Sequence, residues 1–316
     1  MAPGALVLHG FTGTPASVAG LASALGGAGF EVASPLLPGH GGALEAMVGS
    51  GWPEWTAAAD EAYRDLAGRT RPVVVAGLSL GGALACWLAA AHPEVAGVVC
   101  VNPVVEPAAE SFHDILRGLL AGGVEVVPSA MAADVARPDS GEAGPGGAPV
   151  GPLLSLFEGV AELAPRLGAV ACPLLLFTSA RDHVVPTSAS DFLAARVAGP
   201  VERVRLERSY HVATMDFDAP EIERRAASFA ADVAQPAVAA VAGCLFEVAL
   251  PGAGWRLVDP PAAVTVLGDR VGQGRQHVRL RAESPGAATL AFADGDGHAH
   301  HVRLRVAPEQ LPTPRP

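Results

Sequence analysis

The sequence predicts an α/β protein: a doubly wound, mostly parallel sheet with a small cap set into it, followed by a small all-β domain. Three observations carry this expectation. Short runs rich in Val and Leu alternate with helical stretches over the first 233 residues, the pattern of parallel strands joined by crossover helices. About seventy residues separate the fourth of these runs from the fifth, more than a plain crossover uses. From residue 244 onward apolar residues recur at every second position, the period of a half-buried strand.

In chain order, strands are expected at residues 5–8, 30–33, 73–76, 98–101, 174–178 and 201–206. A helix over 17–28 places Val18, Leu21 and Leu25 on one face. The next, over 53–67, starts at Pro53, whose fixed φ suits a first helical turn, and carries Trp55, Ala59, Ala62 and Leu66 at three- and four-residue steps. Trp52 and Trp55 read as anchors into the core rather than as platforms for a ligand. The cap, about 104–170, carries Ile115, Leu116, Leu119 and Leu120, then Leu153, Leu156, Phe157, Val160 and Leu163. These side chains are expected to line a pocket with carbon. Its middle, SGEAGPGGAPVGP at 140–152, reads as a mobile loop because Gly and Pro interrupt both helix and strand. A helix over 222–233 ends where Gln235 and Pro236 follow. The expected division is a domain over 1–235, a linker over 236–243 and an antiparallel β domain over 244–310.

In that last domain LFEVAL, QHVRLRA, ATLAFA and HHVRLRV are separated by PGAG, ESPG and DGDG turns. Val278, Leu280 and Ala282, like Val302, Leu304 and Val306, are expected on a buried face, with Arg279, Arg281, Arg303 and Arg305 facing outward.

Composition narrows the function classes. The 32 acidic residues outnumber the 21 basic ones, giving a formal charge of −11 that repels a phosphate backbone, so nucleic acid is not expected as a partner. Every basic residue counted is Arg; no function follows from that. Cys86, Cys100, Cys172 and Cys244 lie apart in apolar stretches without C-x-x-C spacing, so buried free thiols in a reducing compartment are expected. No window is long and apolar enough for an integral membrane segment, and no basic stretch precedes an apolar one at the start. A cytoplasmic location is expected, the more so because the first strand begins near residue 5 and leaves no room for a cleavable leader.

The chemistry lies in three segments. GLSLG at 77–81 directly follows the third strand and opens a helix over 82–91. A serine on such a sharp strand-to-helix turn sits in strained backbone above the sheet edge, and Gly77 and Gly81 stand where a Cβ would collide. Ser79 is thus a candidate nucleophile. A serine hydroxyl needs a base to take its proton and a third group to hold that base in the right tautomer. His211, in RSYHVATMD after the sixth strand, is the candidate base. Asp182, in TSARDHVVP after the fifth, is the candidate acid, with Glu106 after the fourth as the second choice. The chain order Ser, Asp, His is the one a nucleophile elbow of this kind uses. HGFTG at 9–13 closes the first strand, and the backbone N–H groups of Phe11 and Leu80 are the candidate oxyanion donors. His9 reads as a structural residue of that loop.

Taken together, HGFTGTP, PLLPGHGG at 35–42, the pair Trp52 and Trp55, NPVV at 102–105 and the three segments above resemble the compact bacterial carboxylesterases and monoacylglycerol lipases. The resemblance covers roughly residues 4–233. It implies an α/β-hydrolase sheet of six or seven strands, a small cap, Ser79, Asp182 and His211 as a triad, and Phe11 and Leu80 as oxyanion donors. The implied activity is hydrolysis of short- to medium-chain acyl esters or monoacylglycerols through an acyl-enzyme, with a small-molecule ester as partner and neither cofactor nor metal. Two alternatives stay open: an idle hydrolase scaffold with a binding or regulatory β domain, and acyl transfer or perhydrolysis on the same triad. The C-terminal domain resembles, through GWRL and RLRAESPGAATLAF, the immunoglobulin-like fold of chagasin-type inhibitors. Their NPTTG-like loop is absent, so a sandwich shape is expected and inhibition is not. Its partner is not specified by the sequence. His298, His300 and His301 beside Asp294 and Asp296 lack structural-zinc spacing and read as a solvated hairpin rather than a metal site.

Overall fold

The computed structural model describes residues 1–129, 131–138, 140, 146–235, 238–295 and 299–308. The chain forms two compact units, Met1–Ala230 and Ala231–Pro316.

The first unit is built on six strands: β1 (Gly4–Leu8), β2 (Glu31–Ala33), β3 (Val73–Leu78), β4 (Gly97–Val101) and, beyond the two short cap strands β5 (Val126–Pro128) and β6 (Gly147–Pro149), β7 (Leu174–Ser179) and β8 (Val201–Leu206). The sheet order is β2-β1-β3-β4-β7-β8, and every pairing is parallel. β1, β3 and β4 are buried at every position. That is why they read as unbroken apolar runs: helices cover both faces, so no side chain alternates toward water. The helices are α1 (Ala19–Gly27), α2 (Trp52–Arg69), α3 (Leu80–Ala91), α4 (Glu110–Ala121), α5 (Val150–Leu163), α6 (Ser188–Ala194) and α7 (Ala219–Ala234). On α2, Trp52, Trp55, Ala59, Tyr63 and Leu66 face inward. Trp55 donates its indole N–H to the Pro38 carbonyl at 3.0 Å, and Trp52 packs where a side chain on Gly159 of α5 would strike its ring. Both tryptophans therefore hold core elements together.

The cap departs from expectation in two places. Leu116 is buried, but Ile115 is 59% and Leu120 37% exposed. Adjacent helix positions lie about 100° apart, so α4 cannot turn both members of 115/116 and 119/120 to the same side. Of the Gly- and Pro-rich stretch 140–152 expected to be a mobile loop, residues 141–145 lie outside the described residues, whereas 147–149 is β6, paired antiparallel with β5, and Val150 begins α5.

The second unit is a two-sheet sandwich. β9 (Val238–Val241), β10 (Leu245–Pro251), β11 (Arg256–Val258), β12 (Val264–Gly272), β13 (Arg275–Ala282), β14 (Gly286–Ala293) and β15 (Ala299–Ala307) form sheets of order β10-β13-β12 and β11-β14-β15-β9. One carbon core joins them: Val248, Leu250, Val278 and Leu280 from one sheet, Leu290, Phe292, Leu304 and Val306 from the other. β13 alternates as expected, with Val278, Leu280 and Ala282 buried and Arg279 and Arg281 exposed. The segment expected as a linker, 236–243, instead contains β9, which pairs parallel with β15. β11 and β12 were also without a sequence signal, because β12 is exposed along most of its length and so shows no alternation to read. The thiols differ from expectation as well: Cys86 and Cys100 are buried, Cys172 is half-buried and Cys244 is exposed.

Candidate active site

The sequence-predicted site residues all follow the carboxyl ends of the parallel strands, where open α/β sheets place their ligands. Ser79 directly follows β3 and caps α3 with φ 55° and ψ −114°, a conformation L-residues rarely adopt and which costs on the order of 1–3 kcal/mol. The surroundings impose it. The Ser79 N–H donates to the Val101 carbonyl of β4 at 3.0 Å. A Cβ on Gly77 would stand 2.1 Å from the Gly81 carbonyl, and one on Gly81 would stand 2.1 Å from the carbonyl oxygen of Leu8. Only glycine lets α3 come this close to β1 and β3. The amide of Leu80 belongs to the first turn of α3, whose N–H groups have no intrahelical acceptor. Phe11 lies in the turn closed by the Gly13 N–H on the Gly10 carbonyl at 3.1 Å, with Thr12 at φ 58°.

Asp182 and His211 come from different loops and meet. His211 Nδ1 is 2.8 Å from Asp182 Oδ2, with only 4% and 2% of the two side chains exposed. A carboxylate can only accept, so Nδ1 carries the proton and Nε2 is left with a lone pair. The other carboxylate oxygen of Asp182 accepts from the N–H groups of Val184 and Val185, each at 2.8 Å, which fixes its rotamer. Glu106, the second choice, accepts instead from the Ser188 hydroxyl at 2.7 Å. His9 accepts the Leu37 N–H on Nε2 at 3.1 Å and donates from Nδ1 to the Gly10 carbonyl at 2.9 Å. It is buried, and desolvation holds its pKa down at about 4. A neutral imidazole thus braces the loop that carries Phe11.

Ser79 and His211 open onto one cavity of about 430 Å³. Carbon lines most of it, including Leu153, Leu156 and Phe157 of α5 and Phe112 of α4, the two phenyl rings meeting edge to face at 5.0 Å. Among the described residues that line it, only Ser17, Ser79, Glu106 and His211 have polar side chains.

Three further residues, to which the sequence reading assigns no role, bond to the histidine loop. Asn102, at φ 45° beyond β4, donates from Nδ2 to the His211 carbonyl at 2.8 Å and the Ser179 hydroxyl at 2.9 Å, and accepts the Ser179 N–H at 2.8 Å. Asp218 accepts the N–H groups of Arg208 and Ser209, each at 3.0 Å. Asp134, from the cap, accepts the His211 N–H at 3.1 Å. Asn102 stands in the NPVV motif and had a signal. The two aspartates had none, because no spacing in the sequence records which distant groups a carboxylate meets: backbone amides for both, with the His183 side chain beside Asp134 and those of Arg208 and Ser209 beside Asp218.

No group of three or more His, Cys, Asp or Glu side chains converges as a metal site among the described residues. Asp296 and His298 lie outside the described residues. His300 Nδ1 lies 3.0 Å from Asp232 Oδ2. His301, expected on a solvated hairpin, is buried, and desolvation takes its pKa down to about 4. No helix is long and apolar enough to cross a membrane among the described residues.

Comparison with known proteins matches residues 4–218 to the family described as serine aminopeptidase, S33. The chain is 38% identical over 228 residues to the thermostable monoacylglycerol lipase of Bacillus sp. (strain H-257), covering 72% of this chain and 89% of that one. To the carboxylesterase of Bacillus subtilis (strain 168) it is 24% identical over 220 residues, covering 67% and 85%. Among solved structures, a chain described with the metagenome-derived lipolytic enzymes LipS and LipT superposes with a TM-score of 0.65 at 34% identity, over 71% of this chain and 91% of that one. The monoacylglycerol lipase of Paleococcus ferrophilus, at 18% identity and a TM-score of 0.61 over 73% and 95%, shares the fold. Family match, parallel sheet and strained serine turn agree: the chain belongs to the serine aminopeptidase, S33, family of α/β hydrolases.

Proposed function

We propose that the protein hydrolyses carboxylic esters, with Ser79 as nucleophile, His211 as general base and Asp182 as the group that orients it. The observation that carries this reading is the buried 2.8 Å contact between His211 and Asp182, beside a cavity that Ser79 shares with His211. Ser79 Oγ adds to the ester carbonyl while His211 Nε2 takes its proton, and the oxyanion is stabilised by the amides of Phe11 and Leu80. His211 then protonates the leaving alcohol as its C–O bond breaks, leaving an acyl-enzyme. Water, deprotonated by the same imidazole, releases the acid and restores the serine. No step calls on a metal or organic cofactor.

The apolar lining supports short- to medium-chain acyl esters or monoacylglycerols as substrates, as does the likeness to a monoacylglycerol lipase. Within this reading residues 1–235 form the catalytic domain, with its cap at about 104–170, and residues 244–310 an accessory domain. The free thiols support a cytoplasmic location. An idle scaffold has no use for a serine held at φ 55°, which favours the enzyme.

The test is turnover of monoacylglycerols and of p-nitrophenyl esters graded by acyl length, with and without added alcohol. The proposal expects free acid as product, with activity lost in Ser79→Ala. Products carrying the added alcohol in place of free acid would assign acyl transfer, and activity surviving Ser79→Ala would overturn the nucleophile.

A further inference from the structure

Met131 and Ala132 line the acyl cavity at the head of a short cap segment, residues 131–137. Two carboxylates tie that segment to the loops carrying Asp182 and His211. Asp134, whose side chain is 14% exposed, faces both loops at once. Its Oδ2 accepts the N–H of His211 at 3.1 Å and of His183 at 3.3 Å, its Oδ1 lies 2.8 Å from His183 Nδ1, and its own carbonyl accepts the Val212 N–H at 3.0 Å. In the opposite direction Asp216, fully buried, accepts the N–H groups of Ala136 at 2.7 Å and Arg137 at 3.1 Å, together with the Tyr210 N–H at 2.9 Å.

The contact between Asp182 and His211 joins side chains from separate loops, so it survives only while the two backbones keep their register. A carboxylate that holds the amide of residue 211 and the amide next to Asp182 sets that register with charge-assisted bonds. Because it comes from the cap, it makes the alignment of the base depend on the cap segment being seated. We propose that Asp134 is a positioning residue for catalysis: it locks the acid and base loops together and couples their alignment to the part of the cap that closes the acyl cavity. The inference rests on the triad reading above.

A second consequence follows from charge. The charged and titratable groups around the His211 loop are Asp182 on the imidazole itself, Asp134, Asp216 and Asp218 on its backbone amides, His183 on Asp134, Arg208 on Asp218, and Arg181 over the Tyr210 ring. Taking away one nearby carboxylate disfavours the imidazolium and moves the acid limb of the kcat/KM profile to lower pH.

The experiment is steady-state hydrolysis of a p-nitrophenyl ester by the full chain across pH, for Asp134→Ala and Asp134→Asn, with Ser79→Ala and His211→Ala in parallel. Asp134→Ala is expected to lower kcat by about 10- to 100-fold with KM within about threefold, because the amide acceptor is lost. Asp134→Asn retains an acceptor oxygen and is expected to recover kcat to within about threefold while keeping the displaced acid limb. If Asp134→Ala does not fold, the acid limb of Asp134→Asn decides. An unmoved acid limb together with kcat within twofold of the native protein, or a defect confined to KM, would overturn the proposal. Full activity in Ser79→Ala or His211→Ala would instead remove the triad reading itself.

Discussion

The two units of this chain place their buried polar groups differently. In the first, Ser79, Asn102, Asp182 and His211 have buried side chains within a few residues of the carboxyl ends of β3, β4, β7 and β8, Asp216 is buried farther along the loop after β8, and nearly every one bonds to a partner from another loop. In the second, exposed Arg279, Arg281 and Arg305 alternate with a carbon interior. Its buried Gln276 bonds Trp255 through both backbone groups, at 2.8 and 2.9 Å, and Asp269 at 2.8 Å. Buried polar groups cost stability unless paired. The first unit pairs them across loops around a cavity, which builds a site, and the second pairs Gln276 with the neighbouring strand β12 and with Trp255 just before β11, which builds a scaffold.

That contrast is sharpest at His211. Its replacement by Ala is expected to lower kcat on a p-nitrophenyl ester by about four to six orders of magnitude while leaving thermal unfolding nearly unchanged, whereas removing a charged side chain of the second unit, such as Arg281, leaves kcat within about twofold. Glycine divides the units next. Gly81→Ala puts a methyl group into the Leu8 carbonyl and is expected to cost about 3–5 kcal/mol, read as a lowered melting temperature or as insolubility. Gly272→Ala, with nothing within 4 Å of the added carbon, is expected within about 0.5 kcal/mol of the native protein. In the sandwich core, Leu280→Ala should cost about 2–5 kcal/mol in the unfolding of that unit, with ester turnover unchanged. A loss of turnover would break the division between site and scaffold.

Acid tests what the units share. His9 in the first and His301 in the second are both neutral at pKa values of about 4 because they are buried, against about 6.5 when unfolded. The unfolded chain therefore binds more protons between these values, and each histidine lowers stability by up to about 1.4 kcal/mol per pH unit as pH falls from about 6.5 to about 4. Denaturant midpoints measured across that window check this, and replacing His301 by Phe should flatten the slope in the second unit alone.

Much of the first unit was legible because its signals are local. A doubly buried strand is a Val and Leu run, and the serine turn needs glycine on both sides, so the parallel sheet and the segments around Ser79, Asp182 and His211 could be read before any geometry was known. Asp134 and Asp216 were not legible. They act on backbone N–H groups of other loops, and no spacing in the sequence records which amide a distant carboxylate will meet. The cap was half legible, since apolar pairs such as Ile115 and Leu116 do not say which member turns inward until the phase of α4 is known. In the sandwich, β12 gave no signal because an exposed edge strand has no buried face to alternate with.

The central claim is that the hydroxyl of Ser79 is activated by the imidazole of His211. Intact-mass and peptide mapping after treatment with a fluorophosphonate tests it most directly. One adduct per chain, on the peptide carrying Ser79 and absent from Ser79→Ala, is the predicted result, with labelling strongly slowed in His211→Ala. An adduct at another residue, or none in protein that still hydrolyses esters, would contradict it.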